Sequence, residues 1–600
     1  MEQKDTIPRT PKGADRFLPM SRSEMDLLGW ETLDIILVSG DAYIDHPSFG
    51  TALIGRVLEN AGYRVGIIAQ PDWKSDLDIT RLGAPRLFFG VSSGNMDSMV
   101  NHYTAQKKLR HDDAYSPEGK SGFRPDRAVM VYTNLIRQSF KNVPVLLGGI
   151  EASLRRIAHY DYWSDKVRNS ILSDSKADLI VYGMAEKAIL TVADELAKGK
   201  SIKELNNIPG TVSFETVDKT AAALDEKIIL PDSDACKDKK TFWQMTRTFM
   251  QNHTVQTLWQ MNGGRMIRHN PPESPLSQKE LDAIYALPFQ RKPHPLYTGK
   301  AIPAYVQIRD SVTSHRGCFG GCNFCAIGVH QGRKIQSRSE TSICDELEKI
   351  AREKDFGGTI SDIGGPTANM YLAECALGYP ESCKRLSCLH PRPCPNLKNG
   401  QQRQLSMLQK AESVPGVKRV FLSSGIRHDL ALEDADYIER IAVKNVSGRL
   451  KLAPEHFQNR VLRYMGKPEI ELYNEFCRRF LAVCKSKQLK REIIPYIIIG
   501  HPGTGMNEAI MLGLDLKRKN IRLSQVQEFT PTPMTISTCM YYTGLDYETG
   551  QAIHVPKGRE IRIQKAFVFW YDAEYKKLIL EALISINRRD MINEFFPMTQ

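Results

Sequence analysis

The stretch RGCFGGCNFCAIG, residues 316–328, places Cys318, Cys322 and Cys325 with three and then two residues between successive thiols. Three soft ligands on so short a segment, with no fourth cysteine close by, fit a 4Fe-4S cluster in which thiolates hold three irons and the fourth iron is left open to something other than protein. Gly317, Gly320 and Gly321 let the backbone fold tightly enough to turn the sulfurs inward, since glycine alone reaches positive φ without steric cost. Phe324, just before the last cysteine, is placed to shield one side of the cluster. A zinc site is the competing reading, because C-x2-C pairs also serve tetrahedral zinc, with His315 or His330 as the fourth ligand.

Around the loop, short apolar runs alternate with helix-length segments. AYVQI (304–308), GTISDIGG (358–365), RVFLSSGIR (419–427), RLKLAPEH (449–456), EIIPYIIIGHPG (492–503) and SQVQEFTPTP (524–533) read as six strands. Ser342 with Asp345 three positions on has the pattern of a capping box, and Ile343, Leu347 and Ile350 form the buried stripe of the helix it opens. IIIGHPGTG (497–505) is not a P-loop, since no G-K-[ST] follows.

The loop, together with HQGR (330–333) and SRS (337–339), resembles the radical S-adenosylmethionine (SAM) superfamily and more narrowly its YgiQ-type family, over about residues 32–550. The resemblance implies that the open iron chelates the amine and carboxylate of SAM. An electron from the reduced cluster, delivered by a donor such as flavodoxin or ferredoxin, then breaks a carbon-sulfur bond and releases a 5'-deoxyadenosyl radical. In such an enzyme the cofactor carries the hard chemistry and the protein positions it. The implied architecture is a partial (β/α)6 barrel with its reactive centre at the carboxyl ends of the strands.

Site residues follow from the same resemblance. GGPT, with Gly364 and Gly365, is similar to the glycine-glycine-glutamate motif whose backbone accepts the SAM amine; Pro366 replaces the glutamate, so only the backbone role carries over. Arg427 is a candidate partner for the SAM carboxylate, a guanidinium fork matching that geometry, with a structural ion pair as the alternative. Glu455, on a strand with Lys451, is a candidate for the ribose hydroxyls, with a barrel salt bridge as the alternative. Gly500 and Gly503 resemble the turn that meets adenine, and TPTPMT (530–535) the last barrel strand.

Toward the N-terminus, LDIILVSGD (33–41), RVGIIAQ (64–70), RLFFGVSSG (86–94), VPVLLGGIEAS (143–153) and DLIVYGMAE (178–186) read as strands, and Leu53, Ile54, Val57, Leu58 and Ala61 as a helical stripe. That alternation predicts a parallel α/β sheet with any ligand beyond the strand carboxyl ends. LLGGIEAS and IVYGMAE resemble the cobalamin-binding-type domain that precedes many radical SAM cores. DHPSFG (45–50) has Asp45 and His46 adjacent and so misses the D-x-H-x-x-G spacing of histidine-ligated cobalamin; some relatives bind the cofactor without that histidine, which leaves cobalamin open. His159, Tyr160, Tyr162 and Trp163 would either stack on a planar ligand or pack an interface between domains. Residues 210–300 give weaker signals, and LPFQRKPHPLY (287–297) reads as a linker.

The expected organisation is therefore an N-terminal α/β domain over 1–290, a core barrel over 300–550 with a cysteine-rich insertion near 370–400, and a helical extension over 551–600. In the insertion, Cys375, Cys383, Cys388 and Cys394 are separated by seven, four and five residues, enough for zinc or an auxiliary iron-sulfur cluster, with His390 as an alternative ligand. Cys236, Cys344, Cys477, Cys484 and Cys539 are isolated and assigned to packing. With 42% hydrophobic and 25% charged residues the chain reads as globular. MEQKDTIPRT lacks the apolar core of a signal peptide, and no apolar run approaches the roughly 20 residues that span a bilayer, so a cytoplasmic protein without a membrane partner is expected. The net charge of +12 is compatible with RNA, although the basic residues are dispersed among acids. Three functions stand: a radical SAM enzyme of unread substrate, a cobalamin-assisted radical methyltransferase, and a metal-stabilised RNA-binding protein without turnover.

Overall fold

The structure is a computed structural model that describes residues 16–215, 227–380 and 382–597; the segment MEQKDTIPRT lies outside the described residues. Contacts divide the chain into two compact units, residues 1–310 with 329–332, and residues 311–328 with 333–600.

The first unit is built on a nine-stranded sheet. Val65–Ala69, Ile35–Ser39, Phe88–Ser92, Val145–Leu147 and Leu179–Val181 lie side by side in that order, all parallel. Ile35–Ser39 and Val65–Ala69 are buried along their whole length, as strands covered on both faces must be. The expected all-parallel sheet needs correction beyond that point. Thr211–Glu215 runs antiparallel to Leu179–Val181, and a hairpin of Leu258–Asn262 and Arg265–His269 extends the sheet further, making it mixed. The hairpin turns on Gly263 and Gly264 at φ +56° and +78°, a two-residue loop that needs positive φ at both positions.

The DHPSFG segment is structural. Asp45 is fully buried and accepts from Arg56 Nε at 3.1 Å, while Arg56 Nη1 donates to Glu59 Oε2 at 2.8 Å. His46 Nδ1 accepts the Ser48 amide at 3.1 Å.

Two readings near the unit boundary are also corrected. AYVQI is not a strand: Pro303–Ile308 is a helix in the first unit, with Pro303 at its first turn, where the missing N–H costs nothing. The first strand of the second unit is instead Ser311–Thr313. The next helix, Glu340–Ala351, is capped by Ser339, whose Oγ accepts the Ser342 amide at 3.1 Å, so the cap falls three residues before Ser342.

The second unit repeats strand and helix. Ser311–Thr313 pairs in parallel with Asp362–Gly364, Thr359–Ile360 with Arg419–Val420, and Arg449–Glu455 with Glu492–Ile499, which pairs in turn with Gln527–Glu528. Helices Glu340–Ala351, Gln401–Glu412, Ala435–Arg440, Ile470–Ser486 and Met506–Arg518 fill the connections. Ile343, Leu347 and Ile350 enter one core with Ile360, Ile363, Leu450 and Ile497. Helices Arg559–Val568 and Ala573–Ser585 pack on Met506–Arg518 through Ile510, Leu514, Phe567 and Leu583. No helix among the described residues is long and apolar enough to cross a membrane.

Four histidines of this unit are buried and held neutral. Burial pushes His315 down to about 4, and His428, His456 and His501 down to about 3. The unfolded chain binds these protons below its ordinary histidine value near 6.5 and the folded chain does not, so stability falls as pH drops from about 6.5 toward 4. Each buried histidine contributes up to roughly 1.4 kcal/mol per pH unit in that window. Urea unfolding between pH 7 and 4.5 is expected to show this loss, and His456→Gln to flatten its slope by about one proton.

Candidate functional site

The cysteine loop leaves the end of strand Ser311–Thr313 and is closed at its base by pairing of His315–Arg316 with Gln336–Ser337. Its two flanks are tied by different parts of the unit. On one side Asn323 donates its amide to the Met465 carbonyl at 2.9 Å and its Nδ2 to the Tyr464 carbonyl at 2.9 Å, and its own carbonyl accepts the Ser537 amide at 2.9 Å. On the other, Ser387 Oγ donates to the Gly320 carbonyl at 2.7 Å and the Cys388 amide to the Phe319 carbonyl at 3.0 Å. Phe319 is fully buried with Met370, Leu389 and Leu430, and Phe324 packs with Val461, Leu462 and Phe529.

The three thiols are gathered. Burial pushes Cys318 up, with Cys322 adding to the effect, and pushes Cys325 up to about 12, with Cys322 and Cys318 adding. Such thiols ionise when a cation supplies the missing positive charge. Arg427 Nη1 stands 3.7 Å from Cys322 Sγ, and Thr367 Oγ1 stands 3.8 Å from Cys318 Sγ. Among the described residues no three His, Cys, Asp or Glu side chains are drawn together around a single ion. A 4Fe-4S cubane would take one thiolate on each of three irons. Both proposed fourth ligands for zinc are engaged elsewhere: His315 bonds Ser314 Oγ at 2.9 Å and the Thr367 carbonyl at 3.0 Å, and His330 groups with the first unit, 3.0 Å from Ser153 Oγ.

The remaining site residues have definite partners. The fork of Arg427 is taken by Asp429, at 2.8 Å to Oδ1 and 2.7 Å to Oδ2, which is the ion-pair alternative. Burial opposes charge on Arg427, but Asp429 and the neighbouring Cys322 and Cys318 outweigh it and hold the guanidinium charged. Glu455, at φ +70°, has Lys467 Nζ 3.9 Å away, while Lys451 is exposed and is not its partner. Burial raises the Glu455 carboxyl despite Lys467. The Gly364 carbonyl accepts both the amide and Oγ of Ser314, at 2.7 and 3.1 Å, and a Cβ on Gly365 would lie 2.7 Å from the His315 carbonyl oxygen. Gly500 donates to Gln564 Oε1 at 2.9 Å, and a Cβ on Gly503 would lie 2.2 Å from the Tyr464 ring. Asp429 and Lys467 escaped the sequence reading, although Asp429, two residues after Arg427, carried a local signal; Thr367 ends the GGPT segment that was read only for its backbone.

In the first unit several glycines at the strand ends pack closely against the protein's own groups. A Cβ on Gly40 would fall 2.3 Å from the Ser93 carbonyl oxygen, one on Gly94 2.0 Å from Asp41 Oδ1, and one on Gly149 2.4 Å from Ser92 Oγ. Arg124, buried, pairs with Asp41 at 2.8 Å and Asp113 at 3.2 Å. The His330 carbonyl oxygen lies 3.3 Å from where a Cβ on Gly183 would stand. The aromatic segment packs inside this unit: His159 and Tyr160 are buried, and Tyr162 donates its hydroxyl to the Ala105 carbonyl at 2.5 Å.

The α/β units, and a cysteine loop at a strand end, define the class of fold to which radical SAM enzymes belong. Residues 17–311 match the family model described as Radical SAM N-terminal, and residues 524–594 match a domain of unknown function, DUF3362. A solved structure of the radical SAM methyltransferase TsrM from Kitasatospora setae, with tryptophan and a SAM analogue bound, matches at a TM-score of 0.50 and 13% identity over 89% of this chain and 88% of that one. The chain is 50% identical over 579 residues to a UPF0313 protein of Methanocella arvoryzae, covering 96% of each. It is 43% identical to the UPF0313 protein YgiQ of Salmonella typhimurium, covering 97% of this chain and 89% of that one. The chain belongs to the UPF0313 (YgiQ) family.

Gly321 sets a test of the clamp. It lies at φ +62°, and a Cβ there would stand 2.7 Å from the Leu386 carbonyl oxygen and 2.9 Å from Ser387 Cα. Gly321→Ala is expected to cost roughly 1–3 kcal/mol in urea unfolding and to lower iron retention, whereas Gly357→Ala, with open space around it, is expected to change neither.

Proposed function

We propose that this protein is a radical SAM enzyme whose cluster is held by Cys318, Cys322 and Cys325 and whose substrate is a small molecule or macromolecule yet to be identified. The observation that carries the reading is the set of three part-buried thiols on a loop clamped at a strand end, with Arg427 against Cys322. Seven parallel strand segments, of which Thr359–Ile360 and Asp362–Gly364 are consecutive pieces of one run, support the partial (β/α)6 barrel that such chemistry uses. When bound, the cluster supplies the electron that splits SAM into methionine and a 5'-deoxyadenosyl radical.

The chain's own residues have three tasks. Cys318, Cys322 and Cys325 bind, and by leaving one iron without a thiolate they leave room for the amine and carboxylate of SAM. Asp429 fixes the Arg427 fork, so that Nη1 presents a donor to Cys322 rather than a free carboxylate clamp. Such a hydrogen bond to a cluster sulfur tunes reduction potential. Phe319 and the apolar residues around it keep water from that side. With Arg427 engaged by Asp429 and Glu455 facing Lys467, the roles first assigned to them at the SAM carboxylate and ribose lose their support, as does the amine-accepting role of the Gly364 carbonyl.

The cobalamin-assisted reading has less to rest on in the first unit, where Gly40, Gly94 and Gly149 at the strand ends pack closely against Ser93, Asp41 and Ser92. The RNA-binding reading rests on net charge alone. The partners that fit are SAM and a low-potential one-electron donor of the flavodoxin or ferredoxin kind.

Anaerobically reconstituted protein, given SAM and dithionite, is expected to form 5'-deoxyadenosine, quantified by mass spectrometry. Cys322→Ala is expected to lower the yield at least 100-fold. Deoxyadenosine formation unchanged in that variant would refute the assignment.

A further inference from the structure

The insertion between strand Asp362–Gly364 and helix Gln401–Glu412 has little regular structure to hold it. Its only strands among the described residues are the two-residue pair Glu374–Cys375 and Leu397–Lys398. Chain geometry nevertheless folds four cysteines onto one another. Cys375 pairs with Leu397, the Leu397 amide donates to the Cys394 carbonyl at 3.0 Å, and the Cys394 amide donates to the Cys388 carbonyl at 2.8 Å. Turns closed by Gly378 on Cys375 and by Cys383 on Pro380 bring round the fourth.

We propose that Cys375, Cys383, Cys388 and Cys394 hold a second iron-sulfur cluster, fully ligated by protein and built against the loop of the first. Three observations support it. The backbone ties Cys375 through Leu397 to Cys394 and Cys394 to Cys388, and a turn from Pro380 closes on Cys383. The segment is basic: residues 376–398 carry Lys384, Arg385, Arg392 and Lys398 against one acid, Glu381, and Arg333 donates to the Arg385 carbonyl beside them. That charge suits an anionic cluster wrapped in four thiolates. Finally, the segment has few apolar contacts of its own, and metal binding is what folds such segments.

Zinc and a closed cluster call on the same four thiolates: tetrahedral zinc draws the sulfurs to about 2.3 Å from one point, whereas a cubane takes one thiolate per iron. Counts of iron, zinc and sulfide separate the two.

The second site is also wired to the first. The Cys388 amide donates to the Phe319 carbonyl and Ser387 Oγ to the Gly320 carbonyl, between Cys318 and Cys322. Cys318 and Cys388 line the same apolar cluster around Phe319 and Leu389. Metal at the second site therefore fixes one wall of the loop that presents the first three thiols.

The test is independent of SAM turnover. Iron, zinc and sulfide are counted on the anaerobically reconstituted full chain, and EPR is recorded after reduction. Wild type is expected to hold about eight irons and eight sulfides per chain. The variant Cys318→Ala/Cys322→Ala/Cys325→Ala is expected to keep about four irons with a reduced-cluster signal that SAM does not move. Cys388→Ala/Cys394→Ala is expected to keep about four whose signal SAM does move. Four irons in wild type and none in the triple variant would overturn the proposal, and so would one zinc in place of the second set of irons. Should the double variant fail to fold, the triple variant alone decides. A triple variant that keeps its irons beside a wild type that never cleaves SAM would uphold the second cluster and sink the enzymatic reading.

Discussion

Everything at the candidate site depends on holding three part-buried thiols on a loop too short to hold itself. Thiols withdrawn from water resist ionisation, and neighbouring ones resist it more, so a cation among them is what favours the thiolate form. The protein meets that constraint from both flanks: Asn323 is anchored to Tyr464, Met465 and Ser537, and Phe319 and Gly320 to Ser387 and Cys388. The space left at Gly321 is too small for any side chain. The rest of the second unit can be read as the frame that brings those anchors to one place, since they come from the insertion, from the last turn of helix Asn459–Met465 and from the start of Ile536–Thr543.

Charge is arranged with the same economy. Arg427 is buried, and only its bidentate pairing with Asp429 makes a buried guanidinium tolerable. The pairing leaves Nη1 aimed at Cys322. A fork wholly given to SAM would have left Asp429 an unpaired buried anion, so the ion pair and the donor to sulfur are one device. Lys467 and Glu455, both buried and 3.9 Å apart, continue the charged network in the same unit.

Much of this was legible in the chain because it is local. Cys318, Cys322 and Cys325 declare themselves by spacing, the five parallel strands of the first unit by apolar runs, four of which lead into a glycine, and three of the second unit's strands by the same rule. What failed did so for identifiable reasons. AYVQI has the apolar residues of a strand, and only Pro303 at the helix start says otherwise. The antiparallel strands Thr211–Glu215, Leu258–Asn262 and Arg265–His269 bury polar residues such as Ser213, Gln260, Asn262 and His269, which breaks their apolar pattern, so Gly263-Gly264 is what marks the hairpin. Lys467 is a tertiary neighbour that no spacing reveals. Asp45 and His46, next to each other in a segment suggestive of a cofactor motif, belong to a buried structural network instead.

The central claim is that an iron of the first cluster is left for SAM by the absence of a fourth cysteine. Electron-nuclear double resonance on the reduced protein with SAM carrying a 15N-labelled amine addresses it directly. The account predicts a 15N coupling to the cluster that is absent in Cys322→Ala. A reduced, intact first cluster that shows no such coupling in the presence of bound SAM would contradict it.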